Sequence, residues 1–129
     1  MTVQPWAERY RTGIARIDQH HGEVFELIDE AYNAIIGQQG RNVVDAKVTK
    51  VIALTLEHFT EEEREMQLAN YDGAAHIASH QALRDQLNAL TARLANGSAA
   101  SSEALEVMNQ YLTQHIRTHD ARLAKHLGA

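Results

Sequence analysis

With 129 residues, one proline, no cysteine and 44% hydrophobic but only 5% aromatic residues, the chain is long enough for one domain with a buried core and is expected to be all-α. A formal net charge of -5 with no basic stripe sets the surface against a phosphate backbone, so nucleic acid is not an expected partner. The missing thiols exclude disulfides, thiolate zinc and Cys-ligated iron–sulfur clusters, and leave any metal to nitrogen and oxygen donors, with eight histidines as the main supply.

The opening "MTVQPWAERYR" lacks the apolar run of a signal peptide, and no stretch approaches the ~20 apolar residues that span a bilayer, so a cytoplasmic protein without membrane insertion is expected. Residues 1–17 read as an N-terminal arm whose Trp6 covers one end of the fold. A first helix is predicted over 18–36, with Asp18 as its N-cap and "GQQG" as its stop. Ile17, His21, Val24, Ile28 and Ile35 fall on one stripe of it. The second helix, 42–69, carries Val44, Val48, Val51 and Thr55 on a stripe that runs on into His58 and Glu62. After the "NYDG" turn, a third helix over 74–95 places His76, His80, Leu83, Leu87, Leu90 and Leu94 in register. The small polar stretch "ANGSAASS" reads as a loop, and a fourth helix follows to about residue 127. Helices of similar length joined by short connections give an up-down-up-down antiparallel four-helix bundle, with residues 1–129 as a single domain and 18–127 as its bundle.

One histidine on an apolar stripe is ordinarily a hydrogen-bonded core residue. Here His21, His58, His76, His80 and His115 all lie on or beside inward faces together with Glu62, and burying them without strong partners would cost about 1–3 kcal/mol each. A metal centre removes that cost. Residues i and i+4 share a helix face, so His76 with His80, and His58 with Glu62, can each reach one ion. Five imidazoles and a carboxylate exceed the needs of one tetrahedral zinc, which points to two metals. Softness does not choose among iron, zinc, copper and nickel. The i, i+4 histidine pairs differ from the Glu-x-x-His motifs of ferritin-like di-iron bundles.

The last helix leaves a choice. On an ideal α-helix His115 and His119 share a face, whereas His115 and Asp120 differ by about 140° in direction. Against this, Leu112, Ile116, Asp120, Leu123 and Leu127 form a stripe of their own, and a local π-type turn would let Asp120 face inward.

Taken in order, "GIARIDQHHGEVFELID" (13–29), "HFTEEEREM" (58–66), "YDGAAHIASH" (71–80) and "YLTQHIRTHD" (111–120) resemble the single-domain bacteriohemerythrins. The resemblance runs from Trp6 to about Leu127. It implies two iron ions with an oxo or hydroxo bridge, one iron on His76, His80 and His115, the other on His21 and His58, and Glu62 and Asp120 bridging both. It places the ligand at His21 rather than His20, leaving His20 where the family usually has glutamine. His20 is then either a solvated residue at the bundle's edge or a polar group near the site's entrance. Further departures are Asp72 for the usual proline, Leu83 for phenylalanine and Tyr111 for tryptophan.

The implied function is reversible dioxygen binding at the two-histidine iron, for storage, delivery or O2-linked signalling through a redox or oxidase partner protein. Phe59, Leu112, Ile116 and Tyr111 are the implied O2-pocket residues, and a monomer that is not an enzyme is expected. Two other classes use the same ligands: a di-iron oxidase, peroxidase or nitric oxide reductase, and an iron storage or supply protein. Glu61, Glu63 and Glu65 are expected on a solvated face, Met66 and Met108 in the core, and His119 and His126 at or near the surface.

Overall fold

The computed structural model describes residues 11–96 and 101–128. Most of the expected arm, including Trp6, and the middle of the "ANGSAASS" loop lie outside them. The described residues form α1 (Ala15–Ile36), α2 (Arg41–Leu68), α3 (Ala74–Ala95) and α4 (Ser101–His115), then a π-turn (Ile116–Asp120) that leads into α5 (Ala121–His126). The last three pieces make one continuous rod, and the whole is an antiparallel four-helix bundle.

The apolar stripes bury as their periods require. Val24, Ile28, Val48, Val51, Leu83, Leu87, Leu105 and Met108 are among the residues of one core that runs along the bundle, and each is at most 4% exposed. Ile17, Met66 and Leu123 form a second, smaller cluster at one end, backed by Ile14, Tyr71 and Leu127. Leu94, Ile35 and Leu127, the last positions of their stripes, are only partly buried.

The first two turns follow from backbone chemistry. Past α1, Gln38 takes φ 54° and Gly40 φ 92°, and the N–H groups of Gln38 and Gln39 bond back to the carbonyls of Ile35 and Ala34. Past α2, Asn70 takes φ 53°, and the N–H groups of Asn70 and Tyr71 bond back to Gln67 and Met66. Both are Schellman closures that satisfy the last carbonyls of a helix. Gly73 then passes so near Met66 that an added Cβ would sit 2.5 Å from its sulfur.

Two expectations need correction here. Helix α1 starts at Ala15, three residues earlier than expected, and Asp18 is no N-cap. Its carboxylate instead accepts from the N–H and hydroxyl of Thr12, both at 2.8 Å, and from the N–H of Gly13 at 3.1 Å. An acid one turn inside the helix thus ties down the segment before it. His126 is exposed, as expected, and its Nε2 donates to the Ala69 carbonyl at 3.0 Å while its ring meets Tyr71, fastening the end of α5 to the α2–α3 turn.

Candidate metal centre

A layer of polar side chains divides the two apolar clusters. Along α1 the inward order is Ile17, His21, Val24; along α2 it is Met66, Glu62, Phe59; along the last rod it is Leu123, Asp120, Ile116. In each series the first residue belongs to the small cluster and the third to the main core. His76 and His80 of α3 and His115 of α4 complete the layer. His21, His58, Glu62, His76, His80, His115 and Asp120 are all buried, none more than 7% exposed.

The donor atoms converge on a point. Nε2 of His115 lies 3.1 Å from that of His76 and 3.0 Å from that of His80. Glu62 Oε1 lies 3.2 Å from His76 Nε2 and 3.3 Å from His80 Nε2. Asp120 Oδ1 lies 2.8 Å from His76 Nε2 and 3.0 Å from His115 Nε2. Despite these separations, Glu62 Oε1 and Asp120 Oδ1 make no hydrogen bond. Adjacent ligands of an octahedral ion with bonds of ~2.1 Å stand about 3.0 Å apart. The five atoms therefore have the spacing of ligands around one cation, with Glu62 beside His76 and His80 and Asp120 beside His76 and His115. These residues fit a metal ion.

The same two carboxylates reach the other way. Asp120 Oδ2 lies 2.7 Å and Glu62 Oε2 4.0 Å from His21 Nε2. Each acid thus turns one oxygen to the three-imidazole side and the other to His21. His58 stands apart from the five-atom cluster: its Nδ1 is 3.6 Å from Glu61 Oε2 and its Nε2 3.8 Å from Glu23 Oε2. Its ring stacks on His20, centroids 4.0 Å apart, and neither of its nitrogens has a hydrogen-bond partner.

Asp120 reaches the layer because of the π-turn. Ala121 N–H donates to the Ile116 carbonyl, five residues back, and the extra residue in the turn brings Asp120 beneath His115. His119 is thereby displaced to a half-buried position beside the rings of His115 and His76, with centroids 5.2 and 5.4 Å away.

Partners on the far side of the rings orient them. His80 Nδ1 lies 2.8 Å from Glu63 Oε2, which also binds Arg84 at 2.8 Å. His115 Nδ1 lies 2.9 Å from the Ser79 hydroxyl, and the Tyr111 hydroxyl donates to the Ser79 carbonyl. An acceptor on Nδ1 keeps the proton there and leaves Nε2 free to bind a metal. Glu63 is therefore not on a solvated face, unlike its expected placement with Glu61 and Glu65. A histidine ligand needs such an acceptor, and the spacing of His80 and Arg84, one turn apart on α3, is the sequence signal for a carboxylate opposite them.

Charge follows the geometry. Burial works against charge on His76, but Asp120 and Glu62 override it and raise its pKa to about 9. Burial opposes charge on His21 as well, and Asp120 again raises the pKa above the ordinary imidazole value. Burial would raise the Asp120 carboxyl, yet His115, His21 and His76 hold it well below the usual range. Burial and the charge of His20 lower His58.

Beside the layer lies a cavity of about 20 Å³ whose wall includes His21, His58, Phe59, Leu112 and Ile116, room for one very small molecule. Tyr111 does not line it. Its hydroxyl lies on the Nδ1 side of His115, against Ser79, where burial above all pushes its pKa up to about 12.

Antiparallel helices that enclose converging imidazoles and two-sided carboxylates define a metal-binding helical bundle. The chain belongs to the hemerythrin family: residues 12–127 match the hemerythrin HHE cation binding domain, and the family is known for oxygen binding at a di-iron site. It is 28% identical over 130 residues to the bacteriohemerythrin of Stenotrophomonas maltophilia (strain R551-3), covering 100% of this chain and 84% of that protein. It is 27% identical over 116 residues to the myohemerythrin of Sipunculus nudus, covering 89% and 86%. A wild-type hemerythrin crystal structure shares the fold with a TM-score of 0.87 at 24% identity, covering 100% of this chain and 98% of that one. Among the described residues no helix is long and apolar enough to cross a membrane.

Proposed function

We propose that the chain binds dioxygen reversibly at a non-heme di-iron centre, as a binding protein and not an enzyme, and that residues 1–129 are one domain with this role. In that centre His76, His80 and His115 would hold one iron and His21 and His58 the other, with Glu62 and Asp120 shared between them. The observation that carries the reading is the two-sidedness of the acids, with Oε1 and Oδ1 toward three imidazoles and Oε2 and Oδ2 toward His21. Five converging donors suit six-coordinate iron better than four-coordinate zinc.

When bound, a ferrous pair supplies two electrons and an open coordination position for dioxygen. The chain's own residues make the uptake reversible. Neutral imidazoles give less negative charge than carboxylates would, which disfavours deeper oxidation of the pair. Phe59, Leu112 and Ile116 hold a small dry cavity next to His21 and His58 and exclude the water and anions that would displace the ligand. In this reading a cytoplasmic monomer stores O2 or passes it to an oxidase or redox partner. Anaerobic reconstitution should give about two irons per chain and a nearly colourless ferrous protein. Adding O2 should produce an optical band that disappears under vacuum. One iron per chain, or tightly held zinc with no response to O2, would overturn the proposal.

A further inference from the structure

At the edge of the buried layer, α1 and α2 bring a second group of donors together. His20 Nε2 lies 3.1 Å from Glu61 Oε2, His58 Nδ1 approaches the same oxygen to 3.6 Å, and ligand atoms of all three residues lie within 4.8 Å of one another. Glu23 stands 3.8 Å from the other ring nitrogen of His58. The side chain of His58 is only 9% exposed, yet both its nitrogens lack hydrogen-bond partners. A buried ring that faces two carboxylates without bonding either is poised for a cation. A groove of about 500 Å³ runs past this point, and its wall includes His20 and Glu61 on the outside and Glu62 of the buried layer within.

We propose that His20, Glu61 and His58, flanked by Glu23, form an outer capture site that takes a divalent cation from solvent and passes it to the buried centre. The proposal rests on the metal-centre reading above. His58 serves both places, because it belongs to the outer group and also lines the inner cavity with His21. An ion bound outside moves inward by exchanging His20 and Glu61 for His21 and the inner carboxylates while keeping His58. Glu61 is 48% and His20 23% exposed, so the outer ligands remain open to hydrated ions. Glutamine at position 20 could not replace the imidazole, since its amide oxygen is a much weaker donor to a transition-metal ion.

The test uses the full-length metal-free chain mixed anaerobically with Co²⁺, whose absorption reports coordination without any response to O2. The wild type should bind in two phases, a fast saturable one and a slower one that ends at about two ions per chain. His20→Gln and Glu61→Gln should each lose the fast phase and load about tenfold more slowly at micromolar ion, ending at the same ion content. His76→Ala should keep the fast phase and lose most of the slow one. If His20→Gln loads at the wild-type rate with the same saturation, the capture site is overturned and the buried centre stands. If the wild type takes up no ions, both readings fall.

Discussion

At the residue scale, Asp120 and His119 test the site most sharply. They are neighbours in sequence, and a straight helix would choose His119, yet the structure puts Asp120 Oδ1 within 3.0 Å of two imidazoles and leaves His119 half-buried at the edge. Asp120→Ala removes the oxygens that face both donor groups, so the variant should hold markedly less iron by elemental analysis, whereas His119→Gln should keep its iron and its O2 response. The reverse pattern would make His119 the ligand. Proton linkage gives a second test. His76 has its pKa raised to about 9 in the folded metal-free chain, against about 6.5 unfolded, so its contribution to stability is fully present below pH 6.5 and is lost as the pH rises toward 9. Asp120, held low, contributes above about pH 3.9 and loses that contribution as the pH falls through its folded value. Thermal melts of metal-free protein should therefore weaken between pH 6.5 and 9. His76→Gln should flatten that slope, and an unchanged slope would show that another group causes it.

At the element scale, the π-turn explains how ligands five residues apart share a side. Such a turn is an α-helix with one residue inserted and the register kept on both flanks. Deleting Thr118 should thus restore a plain helix in which His115 and Asp120 are one α-turn apart and still face the same layer. The variant should retain its metal and melt no lower than the wild type. Deleting Gln110 from the regular part of α4 should rotate everything beyond it by about 100° and abolish metal uptake. Loss of metal in both deletions would mean that the turn itself is required.

The helices were legible in the sequence because 3.6-residue stripes such as Val44, Val48, Val51 and Thr55 depend only on which face is buried. The start of α1 was not, because Asp18 looks like a cap and its actual partners, Thr12 and Gly13, precede the helix. The sequence did bring the three α3–α4 imidazoles and both acids under consideration, and their convergence is a fact of the fold. The partners of Glu63 and Tyr111 lie across an interface, where no periodicity within one helix can register them.

At the scale of the whole molecule, the cost of the polar layer matters most. Seven buried polar groups separate Ile17, Met66 and Leu123 from the main core, so the apolar contacts that would otherwise run the length of the bundle are interrupted. An ion held by Glu62, His76, His80, His115 and Asp120 would convert this interruption into a tie among α2, α3 and the final rod. Folding and metal binding are then linked, because the unfolded chain has no preformed site. Free ion at 1,000 times Kd adds about 4 kcal/mol to stability, and each kcal/mol moves the melting temperature of a chain this size by about 3–5 °C. Chelation should therefore lower Tm by about 12–20 °C. Asp120→Ala, which gives up one of the two acids that face both sides of the layer, should respond little to added ion and melt below the chelated wild type, because it also loses the contacts of Asp120 with His21, His76 and His115. Equal melting temperatures for loaded and chelated wild type, with metal content verified in each, would mean that the bundle is held by its two apolar clusters alone and that the ion only occupies space the fold already provides.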